Sequence, residues 1–288
     1  IIDCFLDEIQ KYGVTLMKNH SVQSIAPLEN GWQLETSKGL FSCQKLLIAT
    51  GSNPKIWKLL AALGLHIISA VPSLFTFDID DERIKDIPGV VAKNVYVEVL
   101  GTNLASDGPL LITHSGLSAP SILKLSAFGA IELAALNYCF DVKINFIQQS
   151  EASCMQALLN SKSELSKKQV RNSTIFNLPK RLWYKLVEAS GISETLRWAE
   201  VNKSQLQALS NQLTAAVFKV HGKSTFKEEF VTAGGIDLKE IDFKTFESKR
   251  FKNLFFAGEI LNIDGVTGGF NFQNAWTGAY LAAQELSK

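Results

Sequence analysis

The stretch Leu254-Phe-Phe-Ala-Gly-Glu259 is a short apolar run that ends in a glycine and a carboxylate, and Asp264-Gly-Val-Thr-Gly-Gly-Phe-Asn271 follows it closely. A continuous apolar run of this kind is typical of a strand in a parallel sheet that is covered on both faces. After the glycines, apolar residues recur at helical spacing from Phe272 to Leu286, which predicts an amphipathic helix. The order strand, glycine-rich loop, helix therefore predicts an α/β arrangement with a ligand site at the loop.

The glycine-rich loop is the strongest functional signal in the chain. Glycine lets a ligand approach the backbone closely because no Cβ stands in the way. The following helix points free N–H groups and the positive end of its dipole at that ligand. The ligand group could be a phosphate or the N1/C2=O edge of a reduced flavin, and the alternative is a glycine-rich turn needed only for packing.

A second apolar run, Lys45-Leu-Leu-Ile-Ala-Thr-Gly51, also ends in glycine. A strand that ends in Ala-Thr-Gly is common where a sheet passes beneath a dinucleotide, although an ordinary buried strand has the same pattern. Before this run the periodicity predicts a helix that ends before Gly13, a short strand at residues 14–17 and a three-strand meander. The meander strands are residues 22–28, 32–36 and 40–43, and Asn30-Gly31 predicts a hairpin between the first two.

The middle of the chain changes character twice. Residues 67–149 are predicted to be mostly strands, with one long helix that Ser118 caps and that runs to about Asn137. From residue 150 to about 217 the pattern becomes helical and polar, with Pro179 at the first turn of one helix. Residues 226–232 are predicted to return to a strand.

Composition excludes several protein classes. The 288 residues are 46% hydrophobic and 20% charged, which is too apolar for a disordered chain. The longest apolar runs are far shorter than the ~20 residues that cross a bilayer, so no membrane association is predicted. Its 29 basic and 28 acidic side chains nearly cancel. The four cysteines form no C-x-x-C pair and the histidines are isolated, so we predict a reducing cytoplasmic location and no metal site.

Taken together, these motifs resemble one family. Phe230-Val-Thr-Ala-Gly-Gly-Ile236, Glu247-Ser-Lys249 and the two glycine segments occur in the family's order, with Gly108-Pro-Leu-Leu-Ile-Thr-His-Ser-Gly-Leu-Ser118 before them. The chain is similar over essentially its whole length to the BaiN/HI0933-like FAD-dependent oxidoreductases. The resemblance implies an α/β, Rossmann-like FAD-binding domain of the two-dinucleotide-fold type. A β-barrel-like domain that carries a helical insertion interrupts it.

The expected segmentation follows from both the pattern and the resemblance. Residues 1–70 and 231–288 are expected to form the FAD-binding domain, residues 71–150 and 216–230 the barrel, and residues 151–215 the insertion. Family members begin with a strand and a G-x-G-x-x-G turn, and we interpret this chain, which starts at Ile1 inside a helical pattern, as a fragment without them. Weak or no FAD retention by this chain is therefore expected. Ser52 stands where the family usually has a second glycine.

The resemblance also implies site residues. Val22 is expected near the adenine, and Thr50 and Gly51 on the pyrophosphate side. Hydrogen bonds from ribitol or ribose hydroxyls are expected at Glu259 or Asp264, although both could be mere solvated acids. The remaining cofactor contacts are backbone groups of Gly258, Gly268, Gly269, Phe270 and Asn271.

A second candidate site lies in the predicted strand-to-helix loop at residues 113–118. His114 and Ser115 could bind substrate or nicotinamide at this loop. Alternatively, Ser118 caps the helix and His114 is a hydrogen-bonded structural residue. A Ser–His nucleophile is the third possibility, but no elbow motif or partner acid accompanies it.

The predicted function is that of a flavoprotein oxidoreductase. NAD(P)H is expected to dock transiently and reduce the flavin, which passes hydride to a small unsaturated or carbonyl-type substrate. No proton donor can be named, and the substrate and the oligomeric state are open. The alternative is a non-catalytic flavin- or RNA-binding module that uses a basic stripe in the insertion. A solvated helix face explains that stripe better, because no RNA-binding motif or interleaved aromatic residue accompanies it, so nucleic acid is not the expected partner. Its members are Lys162, Lys167, Lys168, Arg171, Lys180, Arg181 and Lys185.

Overall fold

The structure, a computed structural model, describes residues 1–224 and 231–288. In these ranges the helices are α1 (Ile2–Lys11), α2 (Pro54–Ala62), α3 (Pro120–Phe128), α4 (Ala130–Ala135), α5 (Glu151–Glu164), α6 (Lys180–Ala189), α7 (Lys203–Thr214) and α8 (Phe270–Leu286). The strands are β1 (Val22–Leu28), β2 (Gly31–Thr36), β3 (Gly39–Cys43), β4 (Leu46–Ile48), β5 (Ile67–Pro72), β6 (Thr76–Asp78), β7 (Val91–Val99), β8 (Ala105–Ile112), β9 (Gly116–Ser118), β10 (Phe140–Asn145), β11 (Ala216–Val220), β12 (Gly222–Ser224), β13 (Thr232–Ile236), β14 (Ile241–Asp242), β15 (Glu247–Ser248) and β16 (Leu254–Phe256).

The described chain divides into two compact units. The first unit contains residues 1–69, 234–263 and 271–288, and the second unit contains residues 70–233 and 264–270. The predicted five-segment division is finer than this and stays a prediction. The strand predicted at residues 226–232 lies mostly outside the described residues, and β13 begins at Thr232.

The first unit contains two small sheets. β1, β2 and β3 form the antiparallel meander, and the second sheet has the order β14-β15-β16-β4. In that second sheet β16 and β4 are parallel, with Leu254 opposite Leu46 and Phe256 opposite Ile48. Leu254 and Phe256 are fully buried, which is what a short apolar strand with covered faces requires.

One prediction for the first unit is wrong, and the predicted C-terminal helix is confirmed with a different buried face. Residues 14–17 form no strand, and Val14, Leu16 and Met17 are exposed. An apolar run becomes a strand only where a neighbour pairs with it, and the described residues supply none here. The helix α8 buries Gly278 and Ala282 rather than the aromatic positions Phe272 and Trp276.

The second unit is built on a seven-stranded antiparallel sheet with the order β11-β10-β7-β8-β9-β6-β12. β11 and β12 are the two edges of this order, yet they are consecutive pieces of one segment, separated only by His221. That segment pairs with β10 at its start and with β6 at its end. Both edges therefore meet at residues 216–224, and the sheet closes like a barrel.

The helix predicted from Ser118 to about Asn137 is two helices. Gly129 separates α3 from α4, and a Cβ there would lie 2.3 Å from a methyl carbon of Leu104. Ser118 is the last residue of β9, and its hydroxyl is 3.0 Å from the Thr76 hydroxyl. The residue at the N-cap is Ala119, so the predicted Ser118 cap is wrong.

Helices α5, α6 and α7 pack against the sheet of the second unit through one continuous core. Cys154, Leu158, Trp183, Leu206 and Leu209 are buried in it. The first unit has its own separate core around Trp32, Leu60, Leu254 and Phe256.

Candidate functional site

The parallel strands β4 and β16 end side by side at one edge of the first unit's sheet. The Ala257 N–H donates to the Ile48 carbonyl at 3.1 Å and extends the pairing past both strands. Carboxyl ends of adjacent parallel strands share an edge, so the Thr50-Gly51 turn lies beside the Gly258-Glu259 turn. Gly51 and Gly258 both have left-handed backbone angles, with φ of 62° and 78°. A side chain is disfavoured there, which explains glycine at both turns.

Helix α2 begins directly after the first of these turns. Its N-cap is Asn53, whose Oδ1 accepts from the Lys55 N–H at 3.0 Å, and Pro54 occupies the first turn. The Lys55 ammonium donates to the Ser21 hydroxyl at 3.0 Å, which brings the start of β1, and therefore Val22, to the same edge. Ser52 is not among the non-glycine residues with positive φ, so a serine is accommodated there without backbone strain.

Glu259 is the charged group of this edge. It lies on a single 3-10 turn, Gly258–Ile260, and its side chain is half-buried. Burial raises the pKa of its carboxyl above the ordinary range. Within residues 1–224 and 231–288, no group donates a hydrogen bond to that carboxylate. A desolvated acceptor without a donor is a group that a ligand hydroxyl would satisfy.

The glycine-rich loop that follows belongs to the second unit up to Phe270. Asp264 accepts a hydrogen bond of 2.7 Å from the hydroxyl of Ser73, which is fully buried. Gly268 and Gly269 have φ of 118° and 89°, and nothing lies within 4 Å of a Cβ at Gly269. The sequence-predicted residues thus fall into two groups: Val22, Thr50, Gly51, Gly258, Glu259 and Asn271 in the first unit, and Asp264, Gly268, Gly269 and Phe270 in the second.

Sequence reasoning missed an aromatic stripe on α8. Phe272, Trp276 and Tyr280 are 70%, 70% and 64% exposed, and they follow one another at i, i+4 and i+8. That spacing predicts an amphipathic helix, in which large apolar side chains are expected on the buried face. Small residues form the buried face instead, because a Cβ at Gly278 would lie 2.6 Å from the Phe246 ring.

His114 and Ser115 point to different surroundings in the second unit. Ser115 lies close to Asp78, and its carbonyl accepts a hydrogen bond from the Ile79 N–H at 2.9 Å. His114 is exposed and lines a cavity of about 460 Å³. Burial raises the pKa of Asp78, and the nearby Ser115 works against that rise.

Three members of the basic stripe are tied into the fold. Lys162 donates to the Val201 carbonyl, and Arg171 pairs with Glu194 and stacks 4.7 Å from the Tyr184 ring centroid. Arg181 donates to the Asp86 carbonyl at 2.7 Å. Lys167, Lys168 and Lys180 are exposed. The stripe is therefore not a continuous row of free cations.

The described residues contain neither a metal-binding cluster nor a helix that could span a membrane. No group of three or more His, Cys, Asp or Glu side chains in residues 1–224 and 231–288 is arranged to hold a metal ion. Over the same ranges, every helix is too short or too polar to cross a membrane.

Comparison with known proteins assigns the class. The model of the HI0933-like protein Rossmann domain matches residues 1–285, so the chain belongs to the HI0933-like family. The predicted family and the predicted α/β, Rossmann-like fold class are confirmed.

The chain is also similar in sequence to three named proteins. The chain is 29% identical over 299 residues to the ribosomal RNA dihydrouridine synthase of Escherichia coli (strain K12), covering 99% of this chain and 71% of the relative. It is 26% identical over 307 residues to the protein of the same name from Haemophilus influenzae, covering 100% and 72%. It is 25% identical over 297 residues to the 3-dehydro-bile acid delta(4,6)-reductase of Clostridium scindens, covering 98% and 71%. All three relatives are named as enzymes.

Proposed function

We propose that this protein is an FAD-dependent reductase that adds hydrogen across a carbon–carbon double bond next to a carbonyl group. The names of the relatives describe reductions of this kind on two different substrates. Dihydrouridine differs from uridine by two hydrogens across one ring double bond. Because the two synthases share the higher identity with this chain, a uridine of ribosomal RNA is the substrate we propose.

The observation that carries the cofactor proposal is Glu259 at the shared edge of β4 and β16. FAD presents ribose and ribitol hydroxyls, which are donors of the kind that the lone carboxylate lacks. At the turns of Gly51 and Gly258 no Cβ covers the backbone, so a ligand can approach it closely at that edge. The residues present therefore fit FAD. The sequence pattern alone assigns Asp264, Gly268, Gly269, Phe270 and Asn271 to the same cofactor.

Each residue has a proposed task. Glu259 accepts from a cofactor hydroxyl, and the N-terminus of α2 after Gly51 favours the negative pyrophosphate. Backbone near Val22 contacts the adenine. When bound, the flavin supplies hydride transfer, with NAD(P)H as the transient donor. His114 and Ser115 stay candidates for contact with the substrate or with nicotinamide, and this proposal assigns the proton donor to no residue.

The cofactor proposal is tested by titrating the purified protein with FAD and following flavin fluorescence. Glu259→Gln keeps the size of the side chain but weakens the acceptor, so we expect about tenfold or more weaker binding. Glu29→Gln is the matched control, because Glu29 is an exposed carboxylate of the same unit. Equal affinity of the Glu259 variant and the wild type would refute the role of this edge.

The substrate proposal needs a separate assay. Ribosomal RNA from cells that lack the modification is incubated with the protein, FAD and NADPH, and its nucleosides are analysed by mass spectrometry. We expect one uridine to gain two hydrogens. An RNA that stays unreduced while NADPH reduces the bound flavin would exclude ribosomal RNA and leave the reductase class in place.

A further inference from the structure

The cavity beside His114 lies entirely within the second unit, and the proposed function uses only His114 of its lining, as a candidate contact for the substrate or nicotinamide. Its volume of about 460 Å³ is in the range of pockets that hold organic ligands, roughly 300–1,000 Å³. Three separate pieces of chain form its wall: residues 79–88, the loop at residues 113–116, and Arg181 at the start of α6.

Hydrogen bonds between these pieces hold the wall in place. Arg181 donates to the carbonyls of Asp86 and Pro88, at 2.7 and 3.5 Å. The Ile79 N–H donates to the Ser115 carbonyl at 2.9 Å, which ties the first piece to the second. A cavity whose walls are bonded to each other is preformed, so a ligand would pay little ordering entropy there.

The chemistry of the wall has three parts. Pro88 supplies apolar surface, to which Ile79 and Ile84 add only a little because they are 6% and 5% exposed. Two carboxylates, Asp80 and Asp86, are exposed to solvent, and their side chains accept no hydrogen bond from any group in residues 1–224 and 231–288. Two cations, Lys85 and Arg181, lie beside them.

The remaining carboxylate of the cavity is not available to a ligand. Arg83 donates to both oxygens of Asp81, at 2.8 and 2.6 Å. Burial acts to raise the pKa of Asp81, but the bonds from Arg83 outweigh it and hold the pKa below its usual range. By contrast, both cations keep unused donors. Lys85 gives one bond to Glu82 and has three N–H groups, and Arg181 gives two and has five.

We propose that this cavity binds a nucleotide, with N–H groups of the base on Asp80 and Asp86 and the phosphate near Lys85 and Arg181. A nucleotide combines a flat ring that packs on aliphatic side chains, base N–H donors and a negative group, and the wall presents a complement to each. A metal ion would leave most of the volume empty. An unpaired base of an RNA and the adenylate of NAD(P)H share this chemistry. The RNA source rests on the proposed function, and the NAD(P)H source rests only on the reductase class.

The test compares two double variants that carry the same change in charge. Asp80→Asn with Asp86→Asn alters the cavity, and Asp107→Asn with Asp141→Asn alters two exposed carboxylates of the same unit outside it. Binding is measured by fluorescence anisotropy with a labelled single-stranded RNA hexamer of mixed sequence, and by titration with NADPH. Melting temperatures and FAD content confirm that both variants are folded.

The sign of the effect decides the outcome. Removing negative charge should leave the affinity for a polyanion unchanged or raise it, and we expect this for the control variant. If base donors occupy Asp80 and Asp86, the cavity variant should instead bind at least one probe about tenfold or more weakly. Loss of the hexamer alone identifies RNA as the source, and loss of NADPH alone identifies the hydride donor.

Other results overturn the proposal. A cavity variant that binds both probes as tightly as the control disproves a nucleotide there. The assay on ribosomal RNA keeps the two proposals apart. Unreduced RNA with weakened probe binding removes the RNA substrate and supports the cavity, whereas reduced RNA with unchanged binding removes the cavity and supports the substrate.

Discussion

Glu259 costs the ligand-free protein stability at neutral pH. Burial raises its pKa, so the folded chain holds this proton more tightly than the unfolded chain. The free energy of unfolding therefore falls as the pH rises from 4.5, the ordinary pKa of Glu, through the raised pKa of Glu259 in the folded chain. We expect Glu259→Gln to stabilise the ligand-free protein above this window, by less than ~1 kcal/mol because solvent screens a half-exposed group.

Urea unfolding at a series of pH values measures this difference. The Glu259 variant and the wild type should be equally stable below the window and should diverge above it. Because the same variant is expected to bind FAD more weakly, stability and binding would change in opposite directions. A constant difference at all pH values would mean that packing, not ionisation, separates the two proteins.

At the scale of one element, the start of α3 is strained at Ala119. This N-cap residue has φ of 80° and ψ of 175°, a region that is essentially restricted to glycine. Relief of such strain stabilises the folded state by about 1–3 kcal/mol. Glycine offsets roughly 0.5–1 kcal/mol of this gain because it gives the unfolded chain more conformational entropy. We therefore expect Ala119→Gly to stabilise the second unit by about 1 kcal/mol, measured by urea unfolding.

The control for this prediction lies in the same helix. Ala127 is in the last turn of α3 and is buried, so Ala127→Gly should destabilise the unit by up to about 1 kcal/mol. If the two Ala→Gly substitutions change the free energy of unfolding in opposite directions, the difference comes from the backbone conformation at each position. If both variants lose stability, Ala119 is not strained.

The same elements show what the sequence can predict. β4 and β16 follow from their apolar runs, because burial on both faces leaves a local pattern. The close approach of Leu104 explains glycine at position 129 between the two helices, and residues 14–17 have no pairing neighbour within residues 1–224 and 231–288. Neither cause is local. The cavity is the extreme case, since it joins Asp80, His114 and Arg181, which lie up to a hundred positions apart in the sequence.

At the scale of the whole molecule, the two units have separate cores. Leu60 is fully buried in the core of the first unit, and Leu209 is fully buried in the core of the second. The core clusters share no residue, so each unit should unfold in its own transition. We expect Leu60→Ala to lower the midpoint temperature of one calorimetric transition and Leu209→Ala to lower that of the other. Each substitution should reduce the free energy of unfolding of its unit by about 2–5 kcal/mol.

Once these variants identify the transitions, the cofactor proposal can be tested on the intact chain. A ligand that binds only the folded state stabilises the unit that holds it by about 2.7 kcal/mol at a concentration of 100 times Kd. The midpoint temperature of that unit's transition rises accordingly. Because Glu259 and the edge of β4 and β16 belong to the first unit, added FAD should raise the transition that Leu60→Ala lowers. A rise confined to the transition that Leu209→Ala lowers would place FAD in the second unit and contradict the assignment of Glu259.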